Sequence, residues 1–457
     1  MTRLFRAYSL DQRPLLPPDL RDWLPEGHLA LFVSDVVDEL DLSAIVGAYE
    51  LGDGRGQPPY HPALMVKLLV YGSCTGKPSS RKIERATYEE VAYRVLAAEQ
   101  PPDHDSLAEF RKRHLDALAG LFVQVLRLCQ AAGLVKLGHV ALDDTKIKAN
   151  ASKHKAMSYA RMTAAEQQLE TELRALLTRA AAVDAAEDAE HGRGRRGDDL
   201  PAELARRERR LAKIRAAKAS LEQAAKAEAE QAAEEARAKV AAREQRVGSA
   251  KGGVPTVPDP AQATPAPTAQ DNFTDPESRI MVDSATKSFT QAYTAQAAVD
   301  DPAQIIVACA VTQAAPDVEQ FAPMLARVAQ TMGRGPAVLT ADAGYFSEAN
   351  LAAAGSAGVD VYVPPDRRKH REAAAPPRIR SAGATHRREK LATALGRELY
   401  ARRKMIVEPV FGQIKAVRGF RRFSFRGVPK VMAKWALICL THNLLKLFRA
   451  RGVLATT

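Results

Sequence analysis

The hydrophobic pattern of the first third of the chain predicts helices. From about residue 20 to 133, apolar residues recur at helical spacing and strand signals are few. One such apolar face is formed by Leu29, Phe32, Val33, Val36 and Val37. Two basic segments, residues 79–86 and 110–114, are predicted to form a helix pair that presents cations to phosphate groups, although a solvated surface is an equally ordinary explanation.

A second helical region has a different composition. Residues 163–246 are rich in Ala, Glu, Arg and Lys, which favours helix, and a glycine-rich break at 191–197 interrupts them. We therefore predict two helices that fold back as a hairpin or coiled coil rather than one long rod. Residues 248–270, rich in Pro, Gly, Ala and Thr, are predicted to form a flexible linker.

Strand patterns dominate the sequence after the linker. A three-strand meander is predicted at 278–282, 290–299 and 305–311, with a turn at 300–302. Helices and strands then alternate at 318–328, 337–341, 348–354 and 359–363. Together with an earlier apolar strand that ends at Leu142, this order predicts an α/β layer fold that one large insertion interrupts.

The distribution of charge favours a polyanionic partner. The 457 residues suggest two to four structural units at about 150 residues per domain, and 66 Lys and Arg oppose 54 Asp and Glu, a net charge of +12. Between Asp366 and Gly427 there are 18 Lys and Arg but only 5 Asp and Glu, so the rest of the chain is nearly neutral. A basic region of this kind, centred on a candidate metal ligand, favours DNA or RNA over a merely solvated surface.

The cysteines and the apolar segments exclude several classes of protein. Cys74, Cys129, Cys309 and Cys439 are far apart and predicted to be buried thiols, which argues against a zinc finger and a secreted disulfide framework. The N-terminus lacks the apolar core of a signal peptide. The apolar stretch 435–448 is too short and too polar to span a bilayer, so we expect a cytoplasmic protein without a membrane.

Three acidic residues are candidates for chemistry. Asp143 ends the apolar run 140–142 and Asp342 ends the run 337–341, so both are predicted at the ends of buried strands. Glu408 is predicted at the cap of a helix in which Pro409 is the first helical residue. Carboxylates that converge in this way can hold Mg²⁺, and two such ions can run phosphodiester chemistry. The plainer alternatives are a turn at Asp342 and a helix cap at Glu408.

The segment from Val407 to Val417 is predicted to be an amphipathic helix. One apolar face of it is formed by Val407, Val410, Phe411, Ile414 and Val417. The same spacing places Lys415 beside Glu408, two turns further on.

Four motifs then give the chain a specific resemblance. They are residues 143–151, 274–281, 342–347 and 407–415, the last followed by Arg426-Gly427. In this order they resemble the first-aspartate strand, the start of the second strand, the second-aspartate turn and the glutamate motif of bacterial insertion-sequence transposases of the DDE class. The resemblance covers nearly the whole chain apart from the insertion and the linker.

The resemblance implies a fold class and a domain organisation. The expected fold is α/β, with a ribonuclease H-like mixed sheet flanked by helices, a helical N-terminal domain and a long helical insertion after the first catalytic strand. Residues 1–136 would form the DNA-binding domain. Residues 137–457 would form the catalytic domain, interrupted by the helical insertion 152–247 and the linker 248–270.

The resemblance also implies roles for individual residues. Asp143, Asp342 and Glu408 would be catalytic and would hold two Mg²⁺ ions, with Mn²⁺ as a substitute. Asp144 stands where a small residue is usual, so either neighbour is a candidate ligand, and Asp143 is preferred because it continues the strand. The family's tyrosine, arginine, glutamate, lysine series is matched by Tyr400, Arg403 or Lys404, Glu408 and Lys415. Predicted DNA contacts are Lys146, Arg403, Lys404, Lys415, Arg418, Arg81, Lys82, Arg111, Lys112 and Arg113.

The implied function is DNA transposition. The protein would bind terminal inverted repeats, expose a 3′-hydroxyl at each element end and join it to target DNA, as a homodimer in a synaptic complex within the bacterial nucleoid. Two alternatives stay open: a catalytically silent DNA-binding protein derived from a transposase, and a metal-dependent nuclease that acts on RNA or RNA–DNA hybrids.

Overall fold

The computed structural model describes residues 19–50, 58–191, 199–246, 256–282, 287–314, 317–366 and 381–454. Four of the sequence predictions lie wholly or partly outside these residues. They concern the N-terminal segment without a signal peptide, the glycine-rich break, the first part of the linker and residues 367–380 of the basic stretch between 366 and 427.

Helices occupy the N-terminal third of the described chain, as its periodicity predicts. They are α1 (Leu29–Glu39), α2 (Ser43–Glu50), α3 (Pro62–Cys74), α4 (Ser80–Glu89), α5 (Val91–Leu96), α6 (His104–Arg113) and α7 (Leu115–Ala131). The predicted apolar face of α1 is buried through Phe32, Val33, Val36 and Val37, whereas Leu29 is half-buried. Pro62 begins α3, where its missing N–H has no helical partner to lose.

Strands and helices alternate through the rest of the chain. In order they are β1 (His139–Lys148), β2 (Ala156–Ser158), α8 (Tyr159–His191), α9 (Asp199–Arg246), β3 (Gln270–Asn272), β4 (Arg279–Val282), β5 (Phe289–Asp300), β6 (Ile305–Thr312), α10 (Phe321–Met332), β7 (Val338–Ala341), α11 (Glu348–Ser356), β8 (Asp360–Tyr362), α12 (Ala382–Ala392), α13 (Ala394–Gly412), a π-helix (Gln413–Val417) and α14 (Val428–Leu454). The predicted element order is confirmed.

The main sheet is mixed, and helices flank it. Its strand order is β4-β5-β1-β7-β8, and β6 also pairs with β5. The strands β1, β7 and β8 are parallel, whereas β5 is antiparallel to both β4 and β6. A mixed sheet that combines a hairpin series with crossover helices is the α/β architecture that the sequence predicts.

The chain forms two compact units. The first unit comprises Met1–Thr145, Thr294–Arg421 and Pro429–Thr457, and the second comprises Lys146–Tyr293 and Arg422–Val428. Two of the boundaries fall inside β1 and β5, and the other two follow residue 421 and the first residue of α14. The candidate catalytic residues Asp143, Asp342 and Glu408 all belong to the first unit.

Helix α14 is the central packing element of the first unit. Its Asn443 is fully buried and pairs with the backbone of Ile306 on β6 through both amide atoms, each bond 2.8 Å long. The thiols of Cys74 on α3 and Cys129 on α7 lie 3.9 and 3.7 Å from the backbone oxygens of Thr441 and Asn443. The same helix therefore joins the N-terminal helices to the sheet.

The length of α14 differs from the prediction. Its helix is longer than the apolar stretch 435–448, and among the described helices it alone has the length and mean hydropathy, 1.2, of a candidate membrane span. However, 72% of this apolar part of the helix is buried inside the protein, as in the core helix of a soluble protein. The candidate is weak for this reason.

In the second unit, α8 and α9 form an antiparallel hairpin, as predicted. The carboxylate of Glu166 on α8 accepts from Arg215 Nε and Lys218 Nζ on α9, each at 3.0 Å. The helices share a small core of Met162, Leu169, Leu211, Ile214 and Ala217. The described part of the predicted linker is fixed to this hairpin, because the Tyr159 N–H donates to the carbonyl of Ala269 at 2.8 Å.

Candidate active site

Asp143 and Asp342 follow neighbouring positions on two parallel strands. Leu142 on β1 is in register with Ala341 on β7, so each aspartate is the next residue along its strand. Asp342 lies at the end of β7, as predicted. Asp143 does not lie at a strand end, because β1 continues to Lys148. Its side chain is delivered from mid-strand to the same edge of the sheet.

Arg403 on α13 forms an ion pair with Asp143. Its Nη1 donates to Oδ2 of Asp143 at 2.7 Å, and the two side chains are 8% and 18% exposed. Burial raises the pKa of Asp143 to about 6, although Arg403 opposes this shift, and nearby Asp342 adds to it. Two carboxylates and one guanidinium therefore share a partly dry environment in which their charges interact strongly.

Asp342 also organises the turn that follows β7. Its Oδ1 accepts from the Gly344 N–H at 2.8 Å, which caps the short 3-10 helix Ala343–Tyr345. Tyr400 lies one turn before Arg403 on α13, and burial raises the pKa of its phenol. The turn interpretation of Asp342 is thus correct, and it is compatible with a second role for the free carboxylate oxygen.

Glu408 does not cap a helix, contrary to the sequence prediction. Helix α13 begins at Ala394, where the Thr393 hydroxyl accepts from the Gly396 N–H, and it runs through Pro409. Pro409 has no N–H for the carbonyl of Met405. That carbonyl instead accepts from Gln304 Nε2 at 2.9 Å, which satisfies the oxygen that the proline leaves without a helical partner. Glu408 is consequently an exposed mid-helix residue.

A π-helix after α13 sets the direction of Lys415. The Lys415 ammonium donates to the Thr145 hydroxyl at 3.0 Å. The apolar face Val407, Val410, Phe411 and Ile414 is buried as predicted, but Val417 is 79% exposed. The prediction was wrong for Val417 because the wider π-turn changes the helical phase after Gln413.

The oxygen atoms of the candidate carboxylates are suitable ligands for a divalent cation, but the positions of the three side chains are only partly suitable. Asp143 and Asp342 offer the hard oxygen ligands that Mg²⁺ prefers. Within the described residues, however, no three His, Cys, Asp or Glu side chains are grouped so that they could hold a metal ion. Glu408 therefore does not join the two aspartates in this arrangement, and Arg403 occupies one side of Asp143.

Comparison with known protein families identifies the family of this chain. Residues 18–113 match the family described as "Transposase domain (DUF772)", and residues 263–444 match the family described as "Transposase DDE domain". The chain belongs to the insertion-sequence transposases of the DDE class. Curated proteins and solved structures contain no match to it.

The two matches cover different parts of this transposase. The first contains α1 to α6, and the second contains Asp342 and Glu408. The second match begins after β1, so Asp143 and Asp144 lie outside it. The DDE family implies a ribonuclease H-like core, in agreement with the mixed sheet, and its members generally use divalent metal ions.

The predicted DNA-contacting residues of the catalytic part have different surroundings. Lys404 is exposed on α13, whereas its neighbour Arg403 is buried against Asp143. Lys146 and Lys415 are half-buried. Arg418 is 5% exposed, and its guanidinium donates to the Thr441 hydroxyl at 2.7 Å and to the carbonyl of Ile438. The ion pair shows that Arg403, rather than its neighbour Lys404, contacts Asp143.

The predicted basic residues of the N-terminal helices also divide into two groups. Arg81 and Lys82 on α4 and Lys112 on α6 are exposed. Arg111 donates to the carbonyl of Pro78 at 2.8 Å and to the Ser80 hydroxyl at 3.3 Å, so it fixes the start of α4. Arg113 donates to the carbonyl of Ala48 at 3.0 Å.

Two residues near the aspartates were missed by the sequence analysis. Thr145 accepts from Lys415, and Tyr345 is fully buried, with its hydroxyl bonded to Gln296. Burial and then the charge of Asp144 raise the pKa of Tyr345. Tyr345 carried a usable signal, because it begins a pair of aromatic residues, Tyr345-Phe346, in the turn directly after Asp342.

Proposed function

We propose that this protein is an active DNA transposase that binds the terminal inverted repeats of an insertion sequence and catalyses Mg²⁺-dependent strand cleavage and strand transfer. The observation that carries the proposal is the pair Asp143 and Asp342, side by side on parallel strands in a chain with two transposase matches. A pair of acidic residues at one sheet edge, bordered by basic residues, suits phosphodiester chemistry.

In this proposal Asp143, Asp342 and Glu408 would hold the metal ions, and Glu408 would have to approach the two aspartates when metal and DNA bind. The chemistry that bound Mg²⁺ supplies is activation of a water or 3′-hydroxyl and neutralisation of the leaving oxygen, and Mn²⁺ can replace it. Asp144 is the alternative to Asp143. Arg403 is a positioning residue, because its ion pair fixes the direction of the Asp143 carboxylate.

The basic residues of α13 and the π-helix would hold the DNA backbone near the aspartates. Lys404 is exposed and Lys415 is held by Thr145, so both offer an ammonium group to a phosphate oxygen. Arg418 is the least suited of the predicted contacts, since its guanidinium is already bonded to α14. Tyr400 would support Arg403, because the guanidinium carbon of Arg403 lies 5.8 Å from the centre of the Tyr400 ring.

The N-terminal helices would recognise the repeats. On α4 the side chains of Arg81 and Lys82 are exposed, whereas those of Ile83 and Ala86 are buried. Arg111 holds the turn before this helix and would act indirectly. Transposition joins two element ends, so a homodimer in a synaptic complex is the expected assembly, and the bacterial cytoplasm with its nucleoid is the expected location.

The test is cleavage of labelled DNA that carries the ends flanking this gene, in the presence of Mg²⁺. The intact protein is compared with Glu408→Gln and Asp342→Asn. Glu398→Gln is the matched control, because Glu398 is exposed on the same helix and undergoes the same chemical change. We expect cuts at the ends that vanish in the first two variants and persist in the control.

Other results would support the alternatives. Specific binding without cleavage by any of the proteins would indicate a silent DNA-binding derivative. Indifferent cutting of any nucleic acid would indicate a nuclease. Persistence of specific cuts in Glu408→Gln would remove Glu408 from the catalytic set.

A further inference from the structure

Two segments of the chain carry positive charge without any acidic residue. Residues 145–165 contain five Lys and Arg and no Asp or Glu, and residues 409–457 contain ten Lys and Arg and no Asp or Glu. The chain as a whole has 54 acidic residues in 457, so both segments are strongly biased. A bias of this kind in one segment alone would be compatible with a solvated surface.

The fold of the second unit brings parts of these two segments together. Arg422 and Lys148 form a parallel β-bridge, and the Phe423 N–H donates to the carbonyl of Lys148 at 2.8 Å. The Asn150 amide donates to the carbonyl of Ser424 at 3.1 Å. Residues from the end of the chain thus lie alongside the last residues of β1, and backbone bonds fix them there.

The inner side of this junction is tightly anchored. Phe423 is 2% exposed, and its ring meets the ring of Tyr293 edge-on with centres 6.1 Å apart. Beneath them the buried Asp275 accepts from the Tyr293 hydroxyl at 2.8 Å and from the Gly427 N–H at 3.2 Å. The half-buried Glu277 accepts from the Val428 N–H, so both carboxylates at this junction bond to the backbone of the C-terminal segment.

The exposed charged residues that the two segments contribute to the outer side are all cations. The exposed side chains that the two segments contribute here are those of Lys148, Lys153, Lys155, Arg422 and Arg426, which we call the basic face. The Nε of Arg426 donates to the carbonyl of Asn150 at 3.0 Å, which holds this exposed side chain in position. The Phe273 N–H donates to the carbonyl of Lys155 at 3.1 Å, and this bond fixes the segment that carries Lys155.

We propose that the basic face binds the phosphate backbone of double-stranded DNA. The inference rests on the proposed function and adds to it a surface that is separate from the predicted contacts on α4, α6 and α13. Five exposed cations on segments that backbone bonds hold together suit a row of phosphates rather than a single small anion. Such contacts neutralise phosphates and release counterions without reading bases, so the binding is independent of sequence.

The test is the salt dependence of binding to a labelled DNA duplex of unrelated sequence. The full-length protein is compared with the triple variant Lys148→Ala/Lys153→Ala/Arg422→Ala. The matched control is Lys213→Ala/Lys226→Ala/Arg237→Ala, which removes three exposed cations from α9 in the same unit. Far-UV circular dichroism and thermal unfolding confirm that each variant is folded.

We expect the triple variant to lose affinity for every duplex by a similar factor. Each lost phosphate contact lowers the slope of log affinity against log salt by about 0.9, so three contacts lower it by roughly 2.7. The control variant keeps the slope of the intact protein. Arg422→Lys retains the slope and Arg422→Gln does not, because the phosphate needs the charge rather than the guanidinium shape.

Three results would overturn the inference. Equal slopes for the triple variant and the control would show that the basic face does not contact phosphates. A loss confined to one DNA sequence would show base recognition instead, and tighter binding of the intact protein to duplex RNA of the same sequence would show a different partner. Failure of the intact protein to bind any DNA would instead contradict the proposed function itself.

Discussion

The ion pair between Arg403 and Asp143 joins a candidate catalytic residue to the helix that carries Glu408. Both side chains are mostly buried, and their nearest charged atoms are 2.7 Å apart. Removal of one partner from such a pair leaves a charge without compensation, which costs more than the pair itself contributes. The contact therefore belongs to both the stability of the protein and the direction of Asp143.

A double-mutant cycle can measure this coupling. We expect Arg403→Met to lower the free energy of unfolding by about 3 kcal/mol, because it leaves Asp143 buried without its partner. The double variant Asp143→Asn/Arg403→Met should recover part of that loss, since neither charge remains. Urea unfolding of the four proteins measures the four free energies. Additive effects of the two single changes would show that the residues do not interact.

Asp300 provides a test of pH dependence away from the candidate catalytic residues. It is fully buried, accepts from the N–H groups of Lys136 and Leu137 at 2.7 and 2.9 Å, and burial raises its pKa to about 6. A raised pKa means that the folded state binds the proton more tightly than the unfolded state. This contribution to stability is present below about pH 4 and is lost as the pH rises through about 6.

The corresponding experiment compares the intact protein with Asp300→Asn. Between pH 4 and pH 7 the free energy of unfolding of the intact protein should fall relative to the variant, by up to about 3 kcal/mol, because a two-unit shift corresponds to about that much. Urea unfolding at several pH values gives the difference. Parallel profiles for the two proteins would show that Asp300 does not titrate in this range.

At the scale of elements, the close approach of α3 and α4 depends on a glycine. A Cβ atom at Gly72 would lie 2.9 Å from Ile83 Cδ1 and 2.9 Å from the carbonyl oxygen of Lys77. The isoleucine side chain can shift, but the backbone oxygen is held by the turn between the two helices. The position of α4, and with it Arg81 and Lys82, therefore relies on the absence of a side chain at residue 72.

Two glycine substitutions with opposite expected signs test this dependence. Gly72→Ala should lower the free energy of unfolding by about 1–3 kcal/mol through overpacking. Gly120→Ala on α7 is the control, because nothing lies within 4 Å of its Cβ position, and a better helix former should add up to about 1 kcal/mol. Thermal or urea unfolding measures both. A stabilising Gly72→Ala would show that the α3–α4 turn adapts.

At the scale of the whole molecule, the two units differ in how their apolar residues are buried. The first unit contains all four cysteines, each a buried free thiol, and burial raises the pKa of Cys74 and Cys129 to about 12. The hairpin of α8 and α9 in the second unit has only a small core between two long, mostly solvated helices. Helices of this kind depend on limited packing for their stability.

We therefore expect the hairpin to unfold at a lower urea concentration than the first unit. Far-UV circular dichroism should show two transitions, whereas the reaction of the thiols with an aromatic disulfide reagent should follow only the second. In the absence of urea the thiols should not react, because all four are buried and the raised pKa of Cys74 and Cys129 suppresses their thiolates. Coincident curves from the two methods would show that the whole chain unfolds as one cooperative unit.

Features that depend on near neighbours along the chain could be predicted from the sequence alone. Helical spacing around Phe32 and Val36 and strand patterns at 290–299 and 305–311 correspond to observed elements, because periodicity is a local property. The ordered motifs around Asp342 and Glu408 likewise pointed to the DDE transposases, which the two family matches show.

Features that depend on distant partners became visible in the three-dimensional structure and could not be predicted from the sequence. Arg403 and Lys404 differ by one position, and about 100° of helical rotation decides that Arg403 meets Asp143 while Lys404 faces solvent. Helix α13 continues through Pro409 because Gln304, about a hundred residues earlier, takes the free carbonyl of Met405. Lys148 and Arg422 form one surface only because a backbone bridge joins them. Local sequence cannot contain these contacts, since their energies depend on residues that only folding brings together.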